Sequence, residues 1–260
     1  MTTSTPTLHK PKQLELFVLD VAPEAQTPAF NTEVVSTREQ LKLLLQGGLD
    51  FHGENSGYAS HDLHAFAAKF PPQLPLAFIR SLTKAGDIVF DPMMGSGTTI
   101  VETLLEGRNA IGTDIDPLAL TLCRVKTTPL DIKVLREIGN QVIAKAKEML
   151  ANQPLVEQEL SQRFDKRTKE FIDYWFLTRT QQELMALLIQ IEKVSNVSIR
   201  RFLELTFSSI IITKSGGVSL ARDLAHTRPH RVDKIPKNAI DQFSTRLRKN
   251  IASISELHEG

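Results

Sequence analysis

Residues 88–116 read IVFDPMMGSGTTIVETLLEGRNAIGTDID, and this stretch decides the fold. The apolar run Ile88-Val89-Phe90 predicts a strand that ends at Asp91-Pro92. Gly95-Ser96-Gly97 predicts a tight turn, and residues 98–106 predict a helix. A second apolar run, Ala110-Ile111, leads to the acids Asp114 and Asp116. Strand, glycine turn, helix, strand and terminal acid, in that order, is the layout of a nucleoside site in a doubly wound α/β sheet.

The choice of nucleoside follows from charge. In a dinucleotide fingerprint the third glycine lets helix and strand pack closely, but that position is Ile100 here. Asp91 stands at the carboxyl end of the first strand, where a carboxylate repels a pyrophosphate and attracts a cation. S-adenosylmethionine carries an ammonium and a sulfonium and no phosphate, so it fits. Asp114 lies 17 residues beyond Gly97, close to the roughly 20-residue spacing at which an acid reaches ribose hydroxyls. The alternative is an ordinary βαβ unit whose glycines only make the turn.

The chain resembles the class I S-adenosylmethionine-dependent methyltransferases, and among them the DNA methylases that act on exocyclic amino groups of adenine or cytosine. The family's first motif, Asp-Pro-Phe-x-Gly-Ser-Gly-Thr-Thr, corresponds to DPMMGSGTT at residues 91–99, with Met93 in place of Phe. Met is apolar and adaptable enough to line a nucleoside pocket. The next motif corresponds to GTDIDP at residues 112–117, and HAFAAKFPPQLP at residues 64–75 resembles the segment that closes over the methionine end of the cofactor. The likeness is good over residues 60–126 and looser elsewhere. It implies a Rossmann-like class I methyltransferase sheet in which Asp91, Gly95, Gly97 and Asp114 hold the cofactor. Pro92, Met93, Ser96, Thr98 and Asp116 share those two motifs, and Lys69, Phe70 and Pro71 lie nearby. It also implies a bacterial, cytoplasmic enzyme of the kind that accompanies restriction systems, with Asp91 neutralising the methionine ammonium and Asp114 binding the ribose.

What the resemblance demands and the chain lacks is a later Asp/Asn/Ser-Pro-Pro-aromatic motif. Its polar side chain and a backbone carbonyl accept the two N–H bonds of the target amino group, and its ring stacks on a base turned out of the helix. The Pro-Pro pair in this sequence, Pro71-Pro72, is followed by Gln73 and precedes the glycine turn. Residues 227–230, Thr-Arg-Pro-His, do not substitute, and Cys123 sits in Leu-Cys-Arg rather than in a catalytic Pro-Cys. No catalytic residue is therefore assigned. The expectation is an incomplete sheet: the chain is the N-terminal part of a longer enzyme, or one half of a split enzyme whose second subunit carries the motif. The rival readings are a guanine-N2 type RNA methyltransferase, and a non-catalytic chain that only binds the cofactor.

Composition sets wider bounds. With 260 residues and 41% hydrophobic content the chain can bury a sizeable core. One cysteine excludes an intrachain disulfide framework and suits a reducing compartment. No apolar run approaches the roughly 20 residues needed to span a membrane. Residues 1–35 read as a flexible arm with one apolar piece at 14–19. Residues 36–126 read as the cofactor-binding α/β portion, and 127–260 as a mostly helical region. Ser36 and Glu39 predict a capping box opening a helix over 36–45, closed by Gly47-Gly48. Apolar spacing predicts further helices over 74–82, 118–125, 132–150, 180–192, 199–212 and 238–257.

Three weaker patterns remain. Phe164, Phe171 and Trp175 recur at helical spacing, which favours core packing over base stacking. Between Ser195 and Asn250 eleven Lys or Arg stand against four acids in a chain of net charge +1. The segment around Lys214, Arg222, Arg228 and Arg231 is thus the candidate for phosphate contact, with DNA the expected partner and RNA the alternative. His61 and His64 have no cysteine or acidic cluster beside them, so they read as hydrogen-bonding or packing groups and no metal is expected.

Overall fold

A computed structural model describes residues 17–19, 36–211, 213, 217–221 and 235–255. Three strands form one sheet in the order β1–β3–β2: β1 (Phe17–Leu19), β2 (Ile88–Asp91) and β3 (Asn109–Gly112). β2 and β3 run parallel, with Ile88 opposite Asn109 and Asp91 opposite Gly112. Helix α3 (Thr98–Leu105) joins them as the crossover. β1 pairs antiparallel with β3, Phe17 opposite Gly112. Part of the stretch read as a loose arm is therefore a paired strand.

The first strand of the motif is not central among the described strands. β3 takes the centre and β2 lies at the edge. Ile88 is 65% exposed and Phe90 58%, unlike the interior of a sheet covered on both faces. The ladder side of β2 turned away from β3 has no strand among the described residues. An apolar strand with that side open is a template for pairing.

The remaining elements are helical: α1 (Thr37–Gln46), α2 (Gln73–Leu82), α4 (Pro117–Thr127), α5 (Ile132–Leu150), α6 (Gln153–Arg163), α7 (Lys166–Trp175), α8 (Thr178–Glu192), α9 (Val197–Ile211) and α10 (Ala239–Ser255). The capping box expected before α1 is present: Glu39 N donates to Ser36 Oγ, and Ser36 N donates to the Glu39 carboxylate. The main core lies among α4, α5, α8, α9 and α10, where Leu122, Leu135, Leu187, Phe202, Phe243 and Leu247 are buried. A Cβ on Gly139 would come within 2.6 Å of Leu247 Cδ2, so α5 and α10 pack there in close contact. A smaller core of Met94, Ile100, Ala110 and Cys123 sits under the glycine turn.

The aromatic stripe is only partly core. Trp175 is buried, while Phe171 and Tyr174 are exposed and meet its ring edge-on or tilted. No helix among the described residues is long and apolar enough to cross a membrane.

Candidate cofactor site and its relatives

The turn after β2 takes its shape from two glycines with positive φ, Gly95 at 51° and Gly97 at 76°. Residues with a Cβ rarely adopt that region, which is why glycine recurs here. Gly97 also stands at the start of α3 and donates to the Met94 carbonyl at 2.8 Å. The turn is fastened to the residue that follows β3: Met94 N donates to Thr113 O and Thr113 N to Asp91 O, both at 3.0 Å. Thr113 Oγ1 donates to the Pro92 carbonyl at 2.8 Å.

Two carboxylates flank this turn. Asp91 Oδ1 accepts from Met93 N at 3.1 Å. Asp114 Oδ2 accepts from Gly95 N at 2.8 Å and its Oδ1 from Asp116 N at 2.9 Å. Asp114 therefore shapes the glycine turn from two residues beyond β3, and each of its oxygens retains capacity for a further donor. Asp116 Oδ1 accepts from Leu118 N at 2.8 Å and caps α4, with Pro117 in the first turn. Ser96 and Thr98 are buried, their hydroxyls 3.1 Å apart.

Beside these polar groups the surface is apolar. Met93 is 84% exposed and Ile115 93%. Ile115, between the two acids of the second motif, escaped the sequence reading.

The absent third glycine has a counterpart. A Cβ on Gly112 would lie 2.5 Å from Met94 Sδ and 3.0 Å from Ile100 Cδ1. The helix supplies the bulk at Ile100 and strand β3 supplies the glycine, so close helix–strand packing is retained with the roles exchanged.

The segment before α2 lies against the turn. A Cβ on Gly95 would come 3.4 Å from Phe66 Cε1. Lys69 Nζ donates to the His61 carbonyl at 2.8 Å, which ties the segment to itself. The Pro71 carbonyl accepts from Leu74 N at the start of α2. Phe70 lines an apolar groove with Leu74, Phe78, Val89 and Thr99. His61 is fully buried and donates through Nε2 to Glu102 Oε1 at 2.6 Å, an oxygen that also accepts from Tyr58 Oη at 2.9 Å. Burial holds the His61 imidazole below its usual range despite Glu102, and burial followed by the Glu102 hydrogen bond pushes the Tyr58 phenol up. His64 bonds through Nδ1 to the Ala65 carbonyl and through Nε2 to Ser208 Oγ at 3.0 Å. Both histidines thus have hydrogen-bonding roles. The cationic candidates Lys214, Arg222, Arg228 and Arg231 lie outside the described residues.

With this geometry in place, the comparisons with known proteins converge. Residues 41–123 match the DNA methylase family model. The chain is 35% identical over 124 residues to the type II methyltransferase M.MjaII of Methanocaldococcus jannaschii, covering 48% of this chain and 23% of that protein. It is 26% identical over 207 residues to the type II methyltransferase M.MvaI of Kocuria varians, covering 78% of this chain and 44% of that one. A shorter match of 52% identity over 48 residues, 18% of each chain, joins it to the orphan methyltransferase M.BamHII of Bacillus amyloliquefaciens. No solved structure matches. The chain spans less than half the length of each of these relatives. A nucleoside-type turn between two carboxylates lies inside the segment that matches the DNA methylase family model, and the chain is similar there to type II methyltransferases.

Proposed function

We propose that this chain is the cofactor-binding part of an S-adenosylmethionine-dependent DNA methyltransferase that modifies an exocyclic amino group of adenine or cytosine. The observation that carries the reading is the glycine turn flanked by Asp91 and Asp114 and bordered by the exposed side chains of Met93 and Ile115. A carboxylate at the mouth of β2 suits an ammonium-bearing nucleoside and opposes a phosphate-bearing one. Asp91 would answer the methionine ammonium. Asp114 would take the ribose hydroxyls on its remaining lone pairs while holding Gly95 in place, and Met93 and Ile115 would cover the adenine faces. Bound there, the cofactor supplies a methyl group made electrophilic by the sulfonium.

The three strands and the parallel crossover are read as part of a class I methyltransferase sheet. The open side of β2 is then the place for the strand that brings the polar-Pro-Pro-aromatic motif, from further chain or a second subunit. DNA is the partner, and the cationic stretch holding Lys214, Arg222, Arg228 and Arg231 is the proposed phosphate contact.

Photolabelling tests the site. Irradiation with methyl-labelled S-adenosylmethionine is expected to place label on a peptide within residues 88–116, competed away by S-adenosylhomocysteine. Label confined to the helical region beyond residue 127, or insensitive to competitor, would contradict the assignment.

A further inference from the structure

We propose that Lys126 is a positioning residue for the glycine turn: its ammonium holds the Ser96–Gly97 peptide from beneath, and the hold weakens when the ammonium gives up its proton. The importance of that hold for a ligand rests on the cofactor reading above. Lys126 lies in the last turn of α4, only 3% exposed, and its Nζ donates to the Ser96 carbonyl at 2.7 Å. One turn earlier, Cys123 supports the adjacent residue: a Cβ on Gly97 would meet Cys123 Cβ and Sγ at 3.1 Å. The end of α4 is thus the floor of the turn, with one polar and one apolar contact to consecutive residues. Among the described residues no carboxylate lies within ion-pair distance of Lys126. The acid that acts on it from a distance, Asp62, is paired with Lys249 at 2.6 Å.

A lysine left in that setting is poised between two states. Burial, followed by the nearby Lys69 ammonium, brings Lys126 down to about 7. The two histidines and the cysteine beside it are moved the other way or further off. Burial holds both His61 and His64 below the ordinary imidazole range, with Lys126 adding to the effect on both and Arg246 to that on His64. Burial pushes the Cys123 thiol, which also faces Asp91, up to about 12. Of Lys126, His61, His64 and Cys123, Lys126 is the one brought close to neutrality. A charged N–H donor binds a carbonyl roughly twice as strongly as a neutral one, so protonation tightens the turn and deprotonation loosens it.

The first experiment needs no ligand. In an NMR titration of the wild-type chain from about pH 6 to 9, the Lys126 side-chain resonance and the Gly95 and Gly97 amides are expected to move with a common midpoint. Glycine amides that stay still while Lys126 titrates, or a Lys126 that stays charged throughout, would overturn the proposal. The second uses S-adenosylhomocysteine, whose net charge of zero limits direct repulsion by the ammonium. Its Kd is expected to rise severalfold in the wild type between about pH 6 and 8.5. In Lys126→Met the Kd is expected to be about tenfold higher at the acid end and flat with pH. A flat wild-type profile, or Lys126→Met matching wild type, would also overturn it. Absence of binding at every pH strikes the cofactor reading instead, and the glycine titration still decides the role of Lys126.

Discussion

Asp114 contributes through both carboxylate oxygens. One accepts the Gly95 amide and the other the Asp116 amide, so removing the side chain releases the turn as well as any ribose contact. Asp114→Ala is therefore expected to weaken S-adenosylmethionine binding by about 1.5–3 kcal/mol, roughly ten- to a hundredfold in Kd, as measured by calorimetry. Gly112 gives a stability test at the same scale. A methyl there collides with Met94 and Ile100, both buried, and overpacking of this kind costs about 1–3 kcal/mol. Gly112→Ala is expected to lower the denaturant midpoint accordingly; an unchanged midpoint would show that the close helix–strand approach is not tight. The motif residues were legible in the sequence because their chemistry is local: an acid after a strand, two glycines in a turn. Lys126 was not. A lysine in the last turn of a helix usually reads as a solvated charge, and only the packing of α4 beneath the turn buries it. Ile115 was missed for the opposite reason, since an isoleucine between two acids carries no sign that the fold leaves it open.

Among the elements, helices with one clear apolar face were readable. Residues 132–150 keep Leu135 and Val142 buried on one side, and α5 occupies the expected span. α6 was not foreseen, because among its described side chains QPLVEQELSQR turns only Val156 fully inward and has no periodic stripe to detect. The strand at Phe17–Leu19 escaped because three residues carry too little pattern and its partner, β3, lies some ninety residues away. Helix ends show a similar contrast. Asp131 caps α5 locally, accepting from Lys133 N at 2.8 Å and Val134 N at 3.1 Å. At the start of α10, the buried Glu183 of α8 accepts from Ala239 N at 2.6 Å and Asn238 Nδ2 at 2.5 Å, and from Arg179 Nε at 2.8 Å. Asp131→Ala is expected to cost about 0.5–2 kcal/mol. Glu183→Ala, which strips donors of a buried charged acceptor, is expected to cost at least about 1.5–3 kcal/mol. A Glu183→Ala midpoint in urea equal to that of the wild type would show that the cap across helices adds nothing.

For the whole molecule, the Lys126 ammonium that holds the turn also lowers stability. Its folded-state pKa of about 7 lies below the 10.5 of an unperturbed lysine. Between those values the unfolded chain binds more protons, so stability rises with pH. The raised Tyr58 and Cys123 act in the reverse sense at higher pH, which leaves about pH 7 to 9 as the window. Wild-type stability is expected to rise across it and that of Lys126→Met to rise less, whereas cofactor affinity is expected to fall. Opposite slopes separate the turn from general unfolding. The exposed edge of β2 bears on activity. Without the polar-Pro-Pro-aromatic motif, the purified chain alone is expected to transfer no labelled methyl to unmethylated DNA. The proposed function rests on a carboxylate at the mouth of β2 that selects a cationic sulfur nucleoside. The direct measurement is calorimetric titration of wild type and Asp91→Ala with S-adenosylmethionine and, separately, with a nicotinamide dinucleotide. Wild type is expected to bind S-adenosylmethionine and not the dinucleotide, and Asp91→Ala to weaken binding of the former at least tenfold. Equal affinity of both proteins for S-adenosylmethionine, or preferential binding of the dinucleotide, would contradict it.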